Sequence, residues 1–109
     1  MATTYKVLGQ QNPSATTLTT LYTVPSSTSA VVSTLMICNQ AAATATFRIA
    51  IRPAGATLDL KHYLSYDTVI PANDSIALTL GITLATTDVV SVYASTTTLS
   101  FSLFGSEIT

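Results

Sequence analysis

A chain of 109 residues with one cysteine, 8% charged residues and a net charge of −1 excludes several kinds of protein. Its length suits one domain with one modest core, and a lone cysteine leaves no intrachain disulfide. Four basic residues are too few to displace counterions from a nucleic acid.

Average soluble domains carry about 25% charged residues, so a hydrophobic share of 48% with so little charge needs another source of surface polarity. Thr and Ser supply it, 33 residues in all. Their hydroxyls are polar without charge, and the β-branch of Thr favours a pleated strand. Free monomers keep charge outside and apolar patches small, so much of this surface is expected to be covered in an assembly. The start Met1-Ala2-Thr3-Thr4-Tyr5-Lys6 lacks the basic-then-apolar order of a secretion signal. No apolar run reaches the roughly 18 residues that cross a bilayer. The expectation is a protein made in a cytoplasm, with neither a membrane nor a nucleic acid as partner.

Along the chain, short apolar runs alternate with turn chemistry. Tyr5 to Gln10 predicts a first strand, closed by Asn12-Pro13-Ser14. Leu18 to Val24 predicts a second, with Leu18 and Val24 on one face, Leu21 on the other, and Pro25-Ser26-Ser27 after it. Ala30 to Asn39 is the longest apolar run; its β-branched Val31, Val32, Thr34 and Ile37 favour a buried strand over a helix. Cys38, within it, reads as a small buried hydrophobe. Gln40 to Thr46 is Ala-rich but short and uncapped, and reads as a loop.

The clearest strand is Phe47 to Arg52. Phe47, Ile49 and Ile51 point one way and Arg48, Ala50 and Arg52 the other, and Pro53-Ala54-Gly55 turns the chain. Lys61 to Ile70 follows, with His62, Leu64 and Tyr66 on one face and Lys61, Tyr63, Ser65 and Asp67 on the other. Pro71 to Asp74 is a turn. Ser75 to Leu80 then alternates with Ile76, Leu78 and Leu80 inward, and 81–84 carry the chain onward. Thr86-Thr87-Asp88 turns into Val89 to Ala94, where Val90 and Val92 face the core. Leu99, Phe101 and Leu103 face it from the last strand, which Gly105 ends. About eight strands at 8–12-residue spacing predict an all-β fold: a single antiparallel β-sandwich, jelly-roll or immunoglobulin-like, spanning residues 1–109. Residues 1–6 and Glu107 to Thr109 are candidate arms that reach neighbours.

No catalytic constellation stands out. His62 is the only histidine, and with one cysteine it offers no ligand set for zinc; it is expected to pack among tyrosines. No Gly-x-Ser-x-Gly elbow marks a nucleophile, and four glycines build no phosphate loop. Asp74 and Asp88 sit where short acceptors bond turn backbone. Asn73-Asp74-Ser75 matches a glycosylation sequon, set aside for want of a secretion signal. The expectation is a non-enzymatic domain with no cofactor and no metal. Three of the four basic residues, Arg48, Arg52 and Lys61, fall within a short span. Arg forks to carboxylates at interfaces, so these are expected to pair with Asp59 or Asp67, in the same chain or in a neighbouring copy. With Tyr63, Tyr66 and Tyr93, whose rings are amphipathic, they form the candidate interface. A sugar-binding sandwich with the tyrosines as platform is a competing reading, weakened by the absence of tryptophan.

The segments 29–34 (SAVVST), 47–55 (FRIAIRPAG), 61–64 (KHYL), 78–95 (LTLGITLATTDVVSVYAS) and 104–107 (FGSE) resemble small structural proteins of tailed bacteriophages of marine and freshwater type, cyanophages included. The resemblance covers nearly the whole chain. It implies a virion component and, most closely, a capsid decoration (cement) protein on the capsid surface. Its partners would be the major capsid protein and copies of itself, as a homotrimer. A tail, neck or baseplate adaptor or fibre component is the alternative it implies.

Overall fold

Nine strands, laid down in chain order, build two facing antiparallel sheets in the computed structural model, which describes residues 2–79 and 81–109. They are β1 (Thr3–Gln11), β2 (Thr19–Thr23), β3 (Ser29–Asn39), β4 (Ala45–Arg52), β5 (Tyr63–Ile70), β6 (Ser75–Leu78), β7 (Ile82–Leu84), β8 (Val89–Ala94) and β9 (Leu99–Ile108). One sheet runs β1-β9-β3-β6, with β7 also on β3; the other runs β2-β8-β4-β5. The chain is thus an antiparallel sandwich, as its spacing predicts.

The pairings are nested. β4 pairs with β5, β3 with β6 and β7, β2 with β8, and β1 with β9, all antiparallel. This is one long hairpin, closed at β4–β5 and folded over so that successive strand pairs fall in alternate sheets. Contacts β9–β3 and β8–β4 then join the pairs side by side. Of the two sandwich types left open by the sequence, the order is that of a jelly roll. β6 and β7 lie in line on β3 and act as one strand, so the prediction of about eight strands and the observed nine agree.

The core is where the period-two reading put it. Phe47, Ile49, Val90, Val92, Leu99, Phe101 and Leu103 have no solvent exposure, each such burial stabilising by about 1.5–3 kcal/mol. Phe47 and Phe101 meet edge to face across the sheets, centroids 6.3 Å apart. The turns also fall as expected: Pro53–Gly55 forms a 3-10 turn, and Ser27, Asn73 and Thr87 take left-handed conformations in theirs.

Several expectations are corrected. The candidate arm at 1–6 is not free: Thr3 to Lys6 pair with Ile108 to Gly105 in β9, and Ala2 and Thr109 exchange both backbone hydrogen bonds at 2.9 Å. Residues 2–6 and 105–109 find their backbone partners in each other, which is why neither segment projects. Met1 of that arm, and Leu80 of the β6 alternation, lie outside the described residues. Gly105 does not end β9. A side chain there would meet the Val31 carbonyl oxygen at 2.1 Å, so glycine permits β3 and β9 to pass closely, and β9 runs on to Ile108.

Cys38 is exposed, because β3 alternates and Ile37 and Asn39 take the buried side. Leu21 and Val24 are both buried while Leu18 is 37% exposed; a register shift at Leu21 turns β2 by one residue. Residues 60–62 are a 3-10 turn rather than the start of a strand. His62 closes that turn, its Nδ1 accepting from the Asp59 N–H at 3.0 Å while the Asp59 carboxylate accepts from Leu60 N–H at 2.6 Å. Its ring therefore caps this turn and does not stand on a strand face.

Candidate interaction site

Arg48 sits on the outer face of β4, opposite Tyr93 of β8. Alternation alone puts Tyr63 and Tyr66 on opposite faces of β5. The structure instead stacks them at 4.9 Å between centroids and nearly perpendicular. The cause is a pair of irregularities in the β4–β5 ladder. Phe47 pairs with Thr68 and Ile49 with Ser65, so Tyr66 and Asp67 together oppose the single residue Arg48. Asp67 takes φ 50° to make this bulge, a conformation Asp tolerates better than most residues. A hydroxyl–hydroxyl bond between Ser65 and Thr68 ties the two sides of the bulge.

The bulge delivers Tyr66 and Asp67 to Arg48 at once. The guanidinium carbon lies 4.1 Å from the Tyr66 centroid and 4.2 Å from that of Tyr93. Nε donates to Asp67 Oδ1 at 2.6 Å and Nη2 to Oδ2 at 3.4 Å. A planar cation held between two rings and forked to a carboxylate uses every property that separates Arg from Lys. The hydrogen bond to Asp67 holds the guanidinium proton above even its ordinary range. Of the two acidic partners expected for the basic cluster, Asp67 is the one used, and within the same chain.

The other candidates separate. Arg52 shares the outer face but bonds Ser91 Oγ at 3.2 Å and the Ala56 carbonyl at 3.1 Å, closing over Ser91 and Ala50, both fully covered. Lys61 lies exposed in the 3-10 turn that precedes β5. The structure thus brings Arg48, Tyr63, Tyr66 and Tyr93 together and leaves Arg52 beside them as a brace. Asp74 and Asp88 take the turn roles expected: Asp88 accepts from Ala54 and Ala85 N–H at 2.9 and 2.8 Å, and Asp74 from Ser75 N–H at 2.8 Å.

Two polar networks escape the sequence reading. Tyr22, largely buried, donates its hydroxyl to Glu107 Oε2 at 2.6 Å, and Lys6 Nζ meets Oε1 at 3.3 Å. Burial first, then the Glu107 bond and charge, push the Tyr22 hydroxyl well above its usual range; the Tyr22 bond, ahead of Lys6, holds Glu107 below its own. Asn39, 1% exposed, donates to the carbonyls of Ala43 and Pro71 at 2.8 and 3.1 Å and accepts from Ala41 N–H and the Thr98 hydroxyl. Nothing in the local pattern marks these pairs, since their partners lie 85 and up to 59 residues away.

Large apolar side chains also stand in solvent: Tyr5 at 84%, Leu60 at 79%, Val69 at 58% and Tyr66 at 53% exposure. Tyr5 and Val7 of β1, with Val31 and Phe104 beside them, line a shallow groove of about 590 Å3 on the outer face of the β1 sheet. Among the described residues, no three His, Cys, Asp or Glu side chains gather as a metal site would require.

Comparison with known proteins gives no match to a family model, a curated protein or a solved structure.

Proposed function

We propose that this chain is a virion structural protein, a decoration protein that binds the phage head and stabilises it through contact area rather than chemistry. The observation that carries this reading is the combination of 8% charged residues with tyrosine, leucine and valine side chains left half to four-fifths exposed. Such a surface favours association over life as a free monomer. A two-sheet jelly roll is a fold also used by capsid and lectin domains, which is consistent with the reading but does not select it. The competing sugar-binding reading loses support from the geometry: one face of Tyr66 and one of Tyr93 are already taken by Arg48.

The test is a count. Mass spectrometry of purified particles should find the chain at a copy number comparable to that of the main shell protein, and particles stripped of it should lose their heads at a lower temperature. A few copies per particle would assign it to the tail or neck. Absence from the mature particle would overturn the reading.

A further inference from the structure

The two sheets end in four edges, and three of them are guarded. β6 and β7 are short and separated by Gly81 at φ 62°. β2 has five residues and a register shift at Leu21. β5 is interrupted twice, at Leu64 and at Tyr66–Asp67. Short strands and bulges are the usual means of blocking edge pairing.

β1 differs. It has nine residues and its one register shift falls at Leu8; from Thr3 to Val7 it pairs with β9 without interruption, Ile108 to Phe104. Its outer edge is therefore a straight row of backbone donors and acceptors, unpaired among the described residues. A lysine normally defends such an edge, but Lys6 is compensated by Glu107 of its own chain at 3.3 Å. Tyr5 and Val7, 84% and 46% exposed, rise beside this edge.

We propose that two copies of this chain pair through β1, antiparallel, about a two-fold axis at Tyr5. That register sets Tyr5 against Tyr5, Thr4 against Lys6 and Thr3 against Val7. No like charges meet, and an aromatic pair sits at the centre, the kind of cross-strand contact that stabilises a ladder. A net charge of −1 per copy gives little repulsion to oppose it. Self-pairing about a dyad closes at two copies, so this geometry yields a dimer where the phage resemblance implies a trimer. The dimer does not depend on the virion reading: solution mass tests the one and particle composition the other.

Light scattering on the full chain over a concentration series should give the mass of two chains. The Tyr5→Lys/Val7→Lys double variant should give one chain with an unchanged circular dichroism spectrum, while Val69→Lys on the β5 edge should stay dimeric. In a Cys38→Ser background, Tyr5→Cys should cross-link into dimers on mild oxidation, since opposed Cα atoms about 4.5–5.5 Å apart suit a disulfide. This last variant decides the matter if the lysine variant does not fold. A monomer at every concentration, a trimer, or a dimer abolished by Val69→Lys would overturn the proposal.

Discussion

The Tyr22 hydroxyl donates to the Glu107 carboxylate at 2.6 Å and so joins β2 of one sheet to β9 of the other. A bond to an ionised acceptor is worth more than a neutral one. Tyr22→Phe should cost about 1–2 kcal/mol at neutral pH, read from urea midpoints.

The same pair fixes how stability varies with pH. Glu107 is held below the ordinary glutamate value of 4.5, so its contribution is present above that value and lost as the pH falls through its lowered one. Tyr22 is pushed above the ordinary tyrosine value of 10.0, so its contribution is present below 10 and lost above it, as the unfolded tyrosine ionises first. Melting temperature against pH should fall at both ends, and Tyr22→Phe should flatten both limbs.

Asn39→Ala should be among the most damaging polar substitutions. It strips partners from the Ala43 and Pro71 carbonyls and from the Ala41 N–H at once. A loss of about 2–3 kcal/mol is expected, with amide exchange accelerating in 40–44 before the rest of the sandwich.

Gly105→Ala should force β3 and β9 apart, because the new methyl would lie 2.1 Å from the Val31 oxygen and 3.0 Å from the Val32 Cα, both backbone atoms. About 2–3 kcal/mol of destabilisation is expected. Gly81→Ala meets nothing within 4 Å and should show only the smaller effect of its positive φ, by the same denaturation assay.

Arg48 has ring partners on two sides as well as a carboxylate. Asp67, with its side chain 47% exposed, holds an ion pair that salt screens. Asp67→Asn should therefore lower the melting temperature less than Arg48→Ala does; high salt should shrink both losses alike and leave the gap, which comes from the two ring contacts, in place. Arg48→Lys should behave like Arg48→Ala, because an ammonium cannot make the fork and the two stacks together.

The extent to which the sequence foretold this molecule follows the range of the interactions. Alternation exposed the inner faces of β4, β8 and β9, because burial there repeats every second residue. It failed at two places where the ladder slips. At Leu21, and again at Tyr66–Asp67, one extra residue turns the following side chain over, and no local signal announces the slip. That is why alternation assigns the tyrosine pair to two faces. Arg48 with Asp67 was legible as chemistry, charges being so few. Tyr22 with Glu107 and Asn39 with Thr98 were not, since only the folded topology brings such distant positions together.

The nested pairing carries a consequence for synthesis. β9, the last of these nine strands to leave the ribosome, occupies the middle of its sheet, between β1 and β3. Until it arrives, those two flank an empty slot, each with a bare margin able to capture a stranger. Chains that stop before Leu99 should therefore yield not a smaller folded domain but inclusion bodies.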